Sequence, residues 1–254
     1  MDISRYLRSL FSRSQDSSVQ RELSLSSFGD LWALVPHLTE EEEVWVLSLG
    51  DANYRLAQRG ILKPRGRALG YRLWRGAFDE DPIWVSRSMC GAALDLVFSG
   101  EDVETAPVVE SVPAGVLLTV PMWVLCNYVG KSRRSLAEAL SLGGLVAGYM
   151  LARLEEANGY DRLIAAAAGC AAGLARLSDG SLKVVERGAS TVVCLTMGDV
   201  GEEDTLFTDY LASVLAGQAI VACQMALSGQ GFTLSMDDSR SMFEHWISGR
   251  DRTF

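Results

Sequence analysis

Residues 161–197 read DRLIAAAAGCAAGLARLSDGSLKVVERGASTVVCLTM, two apolar segments joined at Ser178, Asp179 and Gly180. In the first, Leu163, Ala167, Cys170 or Ala171, Leu174 and Leu177 recur every three to four residues, the helical period, and define one continuous buried face. The bulk is missing from that face, because residues 165–169 and 171–173 are all Ala or Gly. Backbones of neighbouring helices can approach such a surface closely, which places the segment in the middle of a bundle rather than on its edge. Asn158-Gly159 and Asp179-Gly180 read as stop signals for the adjacent helices. The second segment, residues 182–196, carries Val184, Val185, Thr191, Val192 and Val193, which also suit a strand. Its expected state is helix, since a partner face that buries a whole side overrides weak propensity.

Composition bounds what such a bundle can be. The 254 residues are 48% hydrophobic and 22% charged, a globular balance, and enough chain for one large core or a main domain with a small second one. A formal net charge of −9 argues against indiscriminate nucleic-acid binding, so any anion-binding face has to be local. Cys90, Cys126, Cys170, Cys194 and Cys223 are odd in number, widely spaced and mostly set in apolar runs. They read as reduced core thiols of an intracellular protein. The opening MDISRYLRSLFSRSQ has arginines at 5, 8 and 13 and no uninterrupted apolar core, so it reads as a short amphipathic helix rather than a secretory signal. Docking on the core is its expected place, with an interfacial membrane helix as the other reading.

Further along, Thr39 followed by Glu40 to Glu43 has the form of a helix start, running to about Arg59 and Gly60. Then the charge changes sign: Arg59, Lys63, Arg65, Arg67, Arg72 and Arg75 occur with no acid between them, interleaved with Tyr71, Trp74 and Phe78. Cations neutralise phosphates and aromatic rings stack on bases or lodge at a lipid boundary, so this is the best local candidate for an anionic partner. A solvated loop anchored by its aromatics is the competing reading. Asp81-Pro82 starts another helix, to about Phe98. The uncharged run 112–129 is nearly long enough to span a bilayer. With Pro113, Pro121 and Asn127 inside it, a buried helical hairpin is expected instead, and run 211–227, broken by Gln218 and Gln224, is read as buried too. Residues 135–154 form a further helix, 198–205 (GDVGEEDT) a linker, and 207–228 and 237–247 two last helices. The expected division is a helical domain over 1–198, a linker at 199–205 and a small helical part, 206–254, that leans on the first or on another copy.

Familiar chemistry does not surface. His37 and His245 lie near no Cys, Asp or Ser pattern that would make a dyad or a metal site, no Gly-rich phosphate loop precedes a Lys-Ser/Thr, and no CxxC, HExxH or GxSxG occurs. A structural or interaction protein without cofactor, metal or small-molecule substrate is the better expectation. A helical integral membrane protein and a helical enzyme without a recognisable motif are the alternatives.

Residues 114–140, AGVLLTVPMWVLCNYVGKSRRSLAEAL, resemble the part of orthomyxovirus matrix proteins in which an apolar helix ends in Leu-Thr-Val-Pro and a basic cluster follows. Leu118-Thr119-Val120-Pro121 and Lys131, Arg133 and Arg134 occupy those places, at longer spacing than in influenza. Tyr149, the small-residue helix with Cys170 and Gly173-Leu174, then Gly180, Glu186 and residues 193–196 follow in a similar order. No single motif in the likeness is specific, and the family's second basic cluster is replaced near residues 150–156 by LARLEEA. A distant, thogotovirus-like branch is what the departures suggest. The resemblance implies an all-α viral matrix protein that self-associates in a homo-oligomeric array beneath the virion envelope. It would contact the anionic membrane, through Lys131, Arg133 and Arg134 with Lys63, Arg65, Arg67, Arg72 and Arg75, and bridge to the viral ribonucleoprotein or RNA. It also implies disassembly on acidification, for which His37 and His245 are the candidate sensors and the many carboxylates the alternative.

Overall fold

The computed structural model describes residues 2–76, 81–154, 156–197 and 208–250, and among them the chain is all-α, twelve helices with no strand. In order these are α1 (Ile3–Leu10), α2 (Ser17–Leu25), α3 (Phe28–Leu34), a 3₁₀ turn (Val35–His37), α4 (Glu40–Leu62) and α5 (Leu69–Gly76). They continue with α6 (Pro82–Phe98), α7 (Val112–Val129), α8 (Arg133–Leu151), α9 (Gly159–Leu177), α10 (Leu182–Thr196), α11 (Thr208–Leu227) and α12 (Met236–Arg250). The only pairing of extended backbone among the described residues is the isolated bridge between Val108 and Ser111.

The Ala/Gly helix is α9, and it is the axis of the molecule, in contact with α7, α8, α10 and α11. Ala165 to Ala168, Cys170, Ala171 and Ala172 are fully buried. Where α9 crosses α8 the side chains vanish: a Cβ on Gly143 would lie 2.9 Å from the Gly169 carbonyl oxygen, and one on Gly173 would lie 2.6 Å from that of Ala139. Backbone therefore meets backbone. Asn158 does not stop a helix; it starts α9 with a capping box, in which its side chain accepts from the Asp161 N–H and the Asp161 carboxylate accepts from the Asn158 N–H. Asp179, at φ +60°, does end it, and Gly180 N–H closes the turn on the Ala175 carbonyl at 2.8 Å.

α10 is helix across its β-branched residues, with Val185, Thr191, Val192 and Val193 buried. Thr191 and Thr196 donate their hydroxyls to the Arg187 and Val192 carbonyls one turn back, so neither competes with the helix for main-chain donors.

The buried hairpin expected at 112–129 and the basic residues after it is made by α7 and α8 together. α7 runs unbroken through Pro121, and the chain reverses only at Gly130, φ +67°. Burial of the whole stretch from Ala114 to Val124 outweighs the one hydrogen bond that proline forgoes. By length and composition α7 and residues 210–227 of α11 could each cross a membrane, but 67% and 56% of those windows are buried inside the bundle. The expected linker at 199–205 lies outside the described residues. After it, α11 packs on α6, α7, α9 and α10, and its Ala212, Leu215, Ala216 and Ala219 belong to the same core as α9.

Candidate interaction surface

The basic stretch begins where α4 ends. Ala68 and Gly66 both take positive φ, turning the chain so that α5 lies back on α6. It is fixed there by Asp95 of α6, a buried residue whose carboxylate accepts from the Gly70 N–H at 3.0 Å. No side chain would fit at 70, because a Cβ would collide with the α6 backbone at Ser88 and Ala92. α5 buries only that glycine and leaves Arg72, Trp74 and Arg75 outside. Trp74 is 40% exposed, and Trp84, at the start of α6, 38%. Arg75 lies 6.0 Å from the Tyr71 ring centre and Arg87 4.9 Å from that of Trp84. Leu62 is exposed beside Lys63.

Not every cation in the stretch is available. Glu101 reaches back from the loop after α6 to bind both Arg59 and Arg65, the latter at 3.0 Å. Arg67 is exposed. Lys63, Arg72 and Arg75 are exposed and have no ion pair among the described residues. Glu101 escaped the sequence reading because only the fold carries it to Arg59 and Arg65. Phe78 lies outside the described residues.

The second basic set, at the start of α8, works inward. Lys131 is paired with Asp179. Arg134 donates to the Leu38 and Pro36 carbonyls at 2.7 and 3.1 Å and to Glu43 and Glu138 at 3.3 and 3.1 Å. Glu138 in turn accepts from Arg176 at 2.7 Å, and Arg176 lies over Trp32. Arg134 is thus a brace that closes the 3₁₀ turn onto α4 and α8. Arg133 is exposed, lying over Trp123, which stacks on Tyr54. The two basic sets do not meet: Glu43 and Arg59 stand sixteen residues apart on α4, about 24 Å along its axis at ~1.5 Å per residue.

His37 and His245 are both exposed, and neither imidazole has a hydrogen-bond or ion-pair partner among the described residues. Of the glutamates that follow His37 in sequence, Glu41 turns to Arg8, Glu42 to the Thr39 N–H and Glu43 to Arg134.

The remaining chemistry is held in. All five thiols are free, and all but Cys194 are buried. Burial pushes every one of them up, Cys223 to about 12, and Cys170 further through its neighbours Cys90 and Cys223. Among the described residues no group of three His, Cys, Asp or Glu is placed to hold a metal ion. An open depression of 490 Å³ runs along α1, lined by Asp2, Arg5, Arg8 and Asp16 among others, with Arg5 tied to Glu22 and Arg8 to Glu41.

Fold and surface together define an all-α bundle on a glycine-alanine axis, acidic overall, with a small basic and aromatic face. No family model matches the chain, and no solved structure does. It is similar to bacterial proteins called UPF0597: 29% identical over 213 residues to one from Nitratidesulfovibrio vulgaris strain DP4, covering 83% of this chain and 48% of the relative. The UPF0597 protein YhaM of Salmonella paratyphi A is 26% identical over 215 residues (83% and 49%), and one from Chromobacterium violaceum 26% over 185 (71% and 43%). The chain spans about half the length of the curated relatives it matches.

That likeness overturns the resemblance to orthomyxovirus matrix proteins, and with it the viral matrix function, the virion location and the array beneath an envelope. The features that carried it have internal uses here. Pro121 sits mid-helix, Lys131 and Arg134 are ion-paired within the bundle, and the small residues make a helix crossing. An apolar helix, a basic turn and a small-residue helix in that order are what many helical bundles need, so their succession has little power to identify a family.

Proposed function

We propose that this chain is a helical binding unit rather than an enzyme, and that it engages a phosphate-bearing surface through the outer side of α5. The supporting observation is the partly exposed Trp74 on α5, with Arg72 and Arg75 on the same short helix and Lys63 shortly before it, three cations that no acid among the described residues neutralises. Tryptophan beside arginine and lysine suits a lipid headgroup boundary, where the ring is half immersed and the cations meet phosphate. Three free cations on a chain of net charge −9 suit a long nucleic acid less well. In the thiols, raised by burial, the chain has poor nucleophiles. The relatives carry about as much chain again, and activities of such whole proteins are not assigned to this one.

The test is sedimentation with phosphatidylserine-containing vesicles across a salt series, run in parallel with single-stranded RNA. Vesicle binding that weakens with salt and falls at least tenfold in Arg72→Glu/Arg75→Glu supports the reading. Binding unaffected by that double variant, or binding to RNA alone, refutes it.

A further inference from the structure

α12 rests on α8 and α10, and at the centre of its inner face is an arginine. Arg240 is only 2% exposed. Its guanidinium lies 3.8 Å from the centre of the Tyr149 ring of α8, and its one hydrogen bond is a long one, 3.4 Å, to the Leu23 carbonyl at the end of α2. The acids near it stand off: Asp237 and Glu244, both on α12, are each 3.8 Å away, beyond hydrogen-bond distance. Arg240 Nε and Glu244 Oε1, both buried, have no hydrogen-bond partner. A second cation, Arg153, lies 4.0 Å from Glu244.

This is a costly way to seat a helix. Taking a guanidinium out of water is repaid only where good geometry satisfies its donors, and here Nε has no partner and the hydrogen bond to Leu23 is long. Holding the other way are the ring contact, the hydrogen bond between the Tyr149 hydroxyl and Asp237, the Met236 N–H on Glu186 at 3.2 Å, and the buried side chains of Met236, Phe243 and Ile247. Docked, α12 covers an aromatic floor: Tyr149 beside Phe28, and Tyr160 under Trp246. Undocking would return Arg240 and Glu244 to water together and uncover that floor.

We propose that α12 is a displaceable strap, released from α8 and α10 as a unit while the bundle stays folded, with the buried Arg240 setting how readily it opens. No other helix core contributes a charge so deeply buried and so poorly hydrogen-bonded among the described residues. Local opening of this kind is what native-state amide exchange measures.

The experiment is amide hydrogen exchange of the intact chain under native conditions, read by mass spectrometry. In the unmodified protein, peptides of α12 should be protected at least roughly a hundredfold less than those of α9. In Arg240→Met, which keeps the stem and removes the charge, α12 should become more protected by roughly fivefold or more, with α9 unchanged. Equal protection of α12 and α9 in the unmodified protein overturns the proposal without recourse to any variant. So does faster exchange of α12 in Arg240→Met with α9 still protected, since the arginine would then be holding the helix down.

Discussion

Gly173→Ala tests the reading that backbone contact between α8 and α9 organises the bundle. The added methyl would stand 2.6 Å from the Ala139 carbonyl oxygen and 2.6 Å from Met122 Sδ, about 0.8 Å short of the 3.4 Å at which ordinary contact begins. Met122 can swing aside. The carbonyl cannot, because it belongs to the α8 backbone, so the helices must separate by most of that shortfall. Alanine brings about 1 kcal/mol of helix propensity. Against it stand overpacking at ~1–3 kcal/mol and the dispersion lost when fully buried neighbours such as Ala139 and Leu174 are pried apart. The upper end applies where the obstacle is main chain, which leaves a net loss of about 2 kcal/mol and a melting temperature lower by roughly 4–8 °C. Gly159→Ala, at the start of the same helix with nothing within 4 Å, is the control and should change stability by less than about 0.5 kcal/mol. Thermal unfolding by circular dichroism reads both. A Gly173→Ala protein as stable as the unmodified one, or shifted no more than the control, would show that the crossing is not tight and that the Ala/Gly content of α9 has another cause.

Asn53→Ala should cost about 2–4 kcal/mol, seen as a lower denaturant midpoint at unchanged slope. The fully buried amide donates to the Ala106 carbonyl at 2.9 Å and to Thr119 at 3.1 Å and accepts from the Ala106 N–H at 2.9 Å, so its loss strands both main-chain groups of a buried loop. The N-terminal helices should respond to acid through Glu22, held below the usual carboxylate range by its hydrogen bonds from Arg5 and Tyr6. A lowered pKa stabilises above the unfolded value near ~4.3 and ceases to do so as pH falls through the folded one. Glu22→Gln should therefore melt below the unmodified protein at pH 6 and together with it near pH 3.

Much of the architecture was legible because it depends on local rules. Thr39 with Glu42 makes a capping box, Asp81 caps the helix that Pro82 opens, and Asp179-Gly180 closes α9, each from residues within a few positions of one another. The period of small and large apolar residues marked α9 as the buried axis before any neighbour was known. Other features were misread for want of a partner. Pro121 stood at a helix end in the matrix-protein likeness, and only the burial of the surrounding helix makes it tolerable inside α7. Asn158 is a helix start or a helix stop depending on which side its amide turns, and that depends on Asp161 and the chain beyond.

The sequence by itself determined that the chain is helical, which segment forms its axis, and where the cations are, since periodicity, caps and charge are properties of neighbours along the chain. Only the tertiary structure decided what those cations can do. Arg59 and Arg65 meet Glu101, Arg134 meets Glu43 and two carbonyls, and Lys131 meets Asp179, across separations of roughly forty to a hundred residues. Lys63, Arg72 and Arg75 meet no acid among the described residues. Whether a charge is a site or a brace is settled by what folds against it, and electrostatic attraction acts over ångströms of space whatever the distance along the chain.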